Sequence, residues 1–198
     1  MATRPSLTHL LYLHGFRSSP QSMKARKLAA LMAERFAGIR WWCPQLPSSP
    51  QAAAALIDEG TRDWPTQTMA VIGSSLGGYY ATWLAERRGC QAVLLNPAVN
   101  PARDLAAAIG EQTAWGQPEE RFFFHPQFLD ELARLHAGAL RHPQRYLALI
   151  ATGDEVLDWR EMQARYAQAR LRIVQGSDHA LSDFEAHLPA ILAHLGLD

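Results

Sequence analysis

The chain has 198 residues, 48% apolar and 19% charged, and its 19 basic and 19 acidic side chains cancel to a formal net charge of zero. That length suits one domain with a substantial core, and balanced charge without any Lys/Arg run argues against a surface built to track nucleic-acid phosphates. Every long apolar stretch is interrupted short of the roughly 18 residues a membrane span needs, so none is expected. Cys43 and Cys90 are the only cysteines; they form no clustered metal-ligand pattern and read as buried thiols of a reducing, cytoplasmic compartment.

The opening has the order of a secretory leader, Arg4 ahead of the apolar run Leu7–Leu13. His9 interrupts that run and no small-residue cleavage site follows, so Leu10–Leu13 is read as a strand ending at His14-Gly15-Phe16. Ser18-Ser19-Pro20 is a helix-start cluster. Met23, Leu28, Leu31, Met32 and Phe36 then form the inward stripe of a helix stopped by Gly38. Ile39–Cys43 is the next strand, closed by Pro44 and the loop Pro47-Ser48-Ser49-Pro50. A helix over Gln51–Gly60 leads to the strand Thr68–Ile72.

After that strand comes Gly73-Ser74-Ser75-Leu76-Gly77-Gly78, and then a helix over Leu76–Arg88 with apolar or aromatic residues at Leu76, Tyr79, Tyr80, Trp83 and Leu84, stopped by Gly89. Those aromatics are core packing. Gln91–Leu95 is a strand ended by Asn96-Pro97. Tyr146–Ala151 and Leu171–Val174 are the last strands, separated by a helix over Trp159–Ala169, and a closing helix runs over Phe184–Leu195. Alternation of this kind implies a mainly parallel sheet with helices on both faces, a three-layer α/β arrangement. Ligands of such sheets bind beyond the carboxyl ends of the strands.

Between Ala98 and His142 the rhythm breaks. No convincing strand is legible there, only helical stretches and the aromatics Trp115, Phe122, Phe123 and Phe124. Residues 98–142 are therefore expected to form a small helical cap inserted in a single domain spanning 1–198. The aromatics either pack the cap onto the sheet or line an acyl-binding slot.

Gly73-Ser74-Ser75-Leu76-Gly77 sits between strand and helix, the setting of a nucleophile elbow. Glycines at 73 and 77 fit a turn too tight for side chains, and only Ser75 has glycine two residues away on both sides. A serine hydroxyl needs a base, and the base an orienting acid. In elbow enzymes these follow in the order Ser, Asp or Glu, His. Here Thr152-Gly153-Asp154-Glu155-Val156-Leu157-Asp158 follows one strand and Gly176-Ser177-Asp178-His179 the last. His179, on a glycine-containing loop, is the base candidate. His9, His125, His136, His142, His187 and His194 fit the role less well and suggest no metal site. Asp154 and Asp158 compete as the acid; Asp154 is preferred, because Asp158 stands where a helix N-cap would. Asp178 is assigned to its loop backbone. The Leu76 and Phe16 amides are the expected oxyanion donors, with Gly15 allowing the turn and His14 bracing it.

Taken together, Tyr12-Leu13-His14-Gly15-Phe16 with Ser18-Ser19-Pro20, the elbow continuing through Tyr79-Tyr80-Ala81, Thr152–Asp158 and Gly176–His179 resemble the small YqiA/YcfP-type bacterial esterases of the α/β-hydrolase superfamily, over nearly the whole chain. The resemblance implies a compact α/β-hydrolase fold without the N-terminal antiparallel hairpin of larger members. It matches Ser75 to the nucleophile, Asp154 to the acid and His179 to the base. It also implies a small acyl ester or acyl thioester as substrate, with no cofactor and no metal. No family motif reaches the cap. A small amide or peptide hydrolase and a non-catalytic ligand-binding protein are the competing readings. The oligomeric state is not legible.

Overall fold

Strands apolar at every position have no face to turn to water, so they belong in the middle of a sheet covered on both sides. A computed structural model of the chain describes residues 6–115 and 117–198, with Arg4 outside them. Its first half runs β1 (His9–Leu13), α1 (Met23–Arg35), β2 (Arg40–Trp42), α2 (Pro50–Thr61), β3 (Met69–Ser74), α3 (Leu76–Arg88) and β4 (Gln91–Leu95). Next come α4 (Pro101–Asp104), β5 (Gly110–Ala114), β6 (Gln117–Phe124) and α5 (Gln127–Arg134). The last part holds β7 (Tyr146–Ala151), α6 (Trp159–Arg165), β8 (Arg170–Val174) and α7 (Leu188–Leu195). Six strands form one sheet in the order β2-β1-β3-β4-β7-β8, every neighbouring pair parallel.

Successive side chains of a strand face opposite ways, and the core divides accordingly. Met69 and Val71 pack with α2, α3, α5 and α6, whereas Ala70 and Ile72 pack with α1 and α7. Each face thus has its own apolar layer, and β3 lies between them. The α3 helix is buried on almost every side, from Leu76 through Ala85 apart from Trp83. It closes at Gly89 in the left-handed conformation, with φ 72°.

Three elements differ from the sequence reading. The helix read over Trp159–Ala169 ends at Arg165, with Tyr166 as its C-cap. The segment 98–142 contains an antiparallel hairpin, β5 with β6, beside the short helices α4 and α5, so it is not purely helical. The closing helix is split: a 3-10 turn covers Phe184–His187 before α7 begins. Pro189, in the first turn of α7, has no N–H to continue an α-helical ladder back through that turn. Among the described residues no helix is long and apolar enough to cross a membrane.

Candidate active site

β3 stops at Ser74 and α3 starts at Leu76, so Ser75 alone makes the turn, at φ 56° and ψ −121°. A non-glycine residue held there costs of the order of 1–3 kcal/mol, and its surroundings hold it. The Ser75 N–H donates to Leu95 O at 3.0 Å, and its carbonyl accepts from Ala98 N at 3.0 Å and Gly78 N at 2.9 Å. Only glycine fits the two flanking positions. A Cβ on Gly73 would stand 2.2 Å from Gly77 O, and one on Gly77 2.0 Å from Leu13 O.

From the other end of the chain, the loop after β8 brings His179 to this turn. His179 Nε2 lies 3.0 Å from Ser75 Oγ. His179 Nδ1 lies 2.8 Å and 3.0 Å from the two carboxylate oxygens of Asp154. The Asp154 side chain has 0% exposure, and its Oδ1 also accepts the Val156 and Leu157 N–H groups at 2.9 and 2.8 Å. A buried carboxylate facing Nδ1 favours the tautomer with the proton there, leaving Nε2 as an acceptor for the serine hydroxyl. Asp158 instead accepts the Arg160 N–H at 2.9 Å as the N-cap of α6. Asp178 accepts from the Ser182 backbone and hydroxyl.

The loop after β1 faces the elbow. His14 is buried; its Nε2 accepts the Leu46 N–H at 3.0 Å, so Nδ1 carries the proton it donates to Gly15 O at 2.9 Å. Burial pushes its pKa below the ordinary imidazole value, which the Gly15 carbonyl only partly offsets. The neutral ring thereby ties the loop at 14–15 to the loop after β2. Leu76 opens α3, where the leading N–H groups have no intrahelical acceptor. Phe16 and Leu76 line a cavity of about 270 Å³ together with Ser75, His179, Val156 and Leu157.

The four aromatics expected to line that cavity separate. Trp115, 68% exposed, is in its wall. Phe122 lines a neighbouring cavity of about 220 Å³. Phe124 is fully buried against Phe16 and Phe128, and Phe123 is exposed beside His125. Alternation along β6 is the reason, since Phe122 and Phe124 share one face and Phe123 takes the other. The acyl-lining expectation is therefore corrected for Phe123 and Phe124.

Several residues around the site were not singled out in the sequence. Asn96 is fully buried at φ 43°. Its Nδ2 donates to the carbonyls of Asp178 and His179 at 3.0 and 3.1 Å, and its Oδ1 accepts the Ala151 N–H at 2.8 Å. It joins the end of β7, from which Asp154 follows, to the histidine loop. Lys24 Nζ donates to Ala180 O. Burial lowers its pKa to about 8 against the opposing pull of Asp178. Glu155 Oε2 accepts the His179 N–H at 3.0 Å. Lys24 stands four residues before Leu28, on the apolar stripe of α1, and that position was the available signal. Asn96, immediately after a buried strand neighbouring the elbow strand, offered another.

Among the described residues no group of three or more His, Cys, Asp or Glu side chains is placed to hold a metal ion. The sequence pattern of an uncharacterised protein family, UPF0227, matches residues 9–196; this is the YqiA-type family that the motifs resemble. Among solved structures the chain is similar to one reported with LipS and LipT, two metagenome-derived lipolytic enzymes (21% identity, TM-score 0.73, 98% of this chain and 95% of that one). It is also similar to a monoacylglycerol lipase from Paleococcus ferrophilus (16%, TM-score 0.68, 98% and 97%) and to the α/β-hydrolase domain-containing protein 10 from mouse (14%, TM-score 0.67, 94% and 90%). At these identities the likeness establishes the α/β-hydrolase fold.

Proposed function

The chain belongs to the uncharacterised protein family UPF0227, and from that membership, its fold and its site we propose that it is a serine hydrolase of carboxylic acyl esters, acyl thioesters included. One observation carries the reading: a continuous set of contacts from Ser75 Oγ through both ring nitrogens of His179 to the buried Asp154. Lipolytic activity named for two of the structural neighbours supports the ester class. Residues 98–142 are assigned as the cap of a single domain over 1–198. The unpaired thiols Cys43 and Cys90 support a cytoplasmic location.

In the proposed reaction Ser75 Oγ attacks the ester carbonyl while His179 Nε2 takes its proton. The tetrahedral oxyanion accepts from the Phe16 and Leu76 N–H groups; losing one such donor typically costs 10²–10³ in rate. The bond to the leaving oxygen or sulfur then breaks as His179 returns the proton to it, leaving an acyl-Ser75 ester. Water, deprotonated by His179, attacks that ester, and the proton passes back to Ser75 Oγ as the acid departs. Asp154 holds the ring and stabilises it while it is cationic.

Ser75→Ala is expected to abolish both ester hydrolysis and labelling by a fluorophosphonate probe while the far-UV circular dichroism stays that of the parent. Full labelling of the variant refutes the assignment.

A further inference from the structure

Two cavities meet at the loop that carries Phe16. Both are lined by Phe16, Arg17 and Leu76, but only the 270 Å³ cavity is lined by Ser75 and His179. We propose that the 220 Å³ cavity beyond Phe16 is the acyl subsite and that the leaving group occupies the cavity at His179. This rests on the esterase reading above and adds which part of the substrate lies where.

The argument is stereochemical. A tetrahedral adduct on Ser75 Oγ carries three further substituents: the oxyanion, the leaving group and the acyl chain. The oxyanion faces the Phe16 and Leu76 amides. The leaving atom must face His179 Nε2, because the nitrogen that removed the serine proton has to return it there. The acyl chain is left to point away from His179, and the space on that side of the oxyanion loop is the second cavity. Gly15 stands between Ser75 and that second cavity. It lines the second cavity, and a Cβ on it would stand 3.1 Å from Ser75 Cβ and 3.6 Å from Ser75 Oγ. Its missing side chain keeps that cavity in reach of the acyl carbon.

The second cavity has Leu46, Leu76, Tyr80 and Phe122 in its wall and the exposed Gln45, Ser48, Glu120 and Arg121 at its rim. A short aliphatic chain can lie against that wall with its end near water. The cavity at His179 is the more apolar of the two, with Leu105, Ala108, Trp115, Val156 and Leu157 in its lining beside Gln112 and an Asp104 that is paired with Arg103. It suits an apolar leaving group, and the stereochemistry alone decides which substituent goes where.

The partition between them is held in place. The Phe16 ring packs edge-on against Phe122 and Phe124 with centroids 5.8 and 5.2 Å away. Arg17, at φ 61°, donates from Nε to Thr113 O at 2.6 Å and from its guanidinium to Thr113 Oγ1 at 3.1 Å. Its guanidinium lies 4.5 Å from the centroid of the Trp115 ring, and its carbonyl accepts the Trp115 N–H at 2.7 Å.

Ala114 lines only the second cavity and Ala108 only the first, so filling each in turn tests the partition. For Ala114→Trp, Ala108→Trp and the parent, kcat/KM is measured by proton release on two series: methyl esters of acetate to decanoate, and acetates of methanol to hexanol. Ala114→Trp is expected to lower the octanoate-to-acetate ratio at least tenfold and to leave the hexyl-to-methyl ratio within twofold. Ala108→Trp is expected to do the reverse. Phe122→Ala, which enlarges the second cavity, is expected to raise the preference for long acyl chains severalfold, and it decides the matter if Ala114→Trp does not fold. An acyl preference unmoved by Ala114→Trp or Phe122→Ala, or shortened by Ala108→Trp, overturns the partition alone. A parent protein that hydrolyses none of these esters and takes no probe at Ser75 overturns the esterase reading and the partition with it.

Discussion

His14 shows how much of a site rests on a side chain that touches no reactant. Its ring accepts from one loop and donates to another, and it does so only when neutral. His14→Ala leaves the buried Leu46 N–H without its acceptor, so a loss of about 1–3 kcal/mol in urea unfolding is expected, with kcat lowered through the displaced Phe16 amide. The acid dependence has a definite sign. With its folded pKa below the ordinary value, the unfolded chain takes up the proton first as pH falls. The folded state therefore loses stability through the ordinary imidazole range and below it. His14→Asn is expected to flatten that part of the stability profile; an unchanged slope would rule His14 out as its source. At this scale the residues of the proposed reaction were legible, because glycines at 73 and 77 mark a turn with little freedom. Lys24 and Asn96 carried only a positional signal. A lysine on a helix and an asparagine before a proline each have commonplace uses, and the tertiary contacts decide among them.

The strand boundaries of β4 and β7 coincide with the sequence reading, since buried runs bounded by glycine, proline or asparagine leave little choice of ends. The β5–β6 hairpin escaped it. Phe122-Phe123-Phe124 looks like one apolar block, and β5, Gly110-Glu111-Gln112-Thr113-Ala114, has Thr113 as its one β-branched residue and no aromatic. Its pairing is set by packing on Phe16 rather than by local preference. The turn after β4 shows how elements cooperate. Asn96 satisfies two carbonyls of the histidine loop and the last N–H of β7 in one buried position. Asn96→Ala removes three hydrogen bonds and orphans their partners, so a destabilisation of about 3 kcal/mol or more is expected in urea unfolding. Because the same bonds hold the loop of His179 relative to Asp154, kcat should fall at least tenfold with KM within a fewfold. A variant of parental stability and kcat would exclude this bracing role.

Across the whole molecule, Lys24 links the first helix to the loop of His179, residue 24 to residue 180. Its pKa, lowered by burial to about 8, means that the unfolded chain keeps its proton to higher pH than the folded one. Stability should therefore rise between about pH 8 and the ordinary lysine value, by up to about 3 kcal/mol from this group. Lys24→Met is expected to lose that rise in urea unfolding followed from pH 8 to pH 10, whereas an equal rise in the variant would assign it elsewhere. The layered architecture was readable from alternation alone, because a sheet buried on both faces leaves continuous apolar strands. What alternation could not convey is how the segment 98–142 sits on it. Residues 16 and 17 are fastened to both strands of the β5–β6 ribbon, so the ribbon cannot swing outward without dragging the backbone opposite Ser75. In the proposed reaction, ester and product would then pass through standing corridors rather than beneath a swinging lid, and the Phe16 and Leu76 dipoles would keep their aim from one cycle to the next.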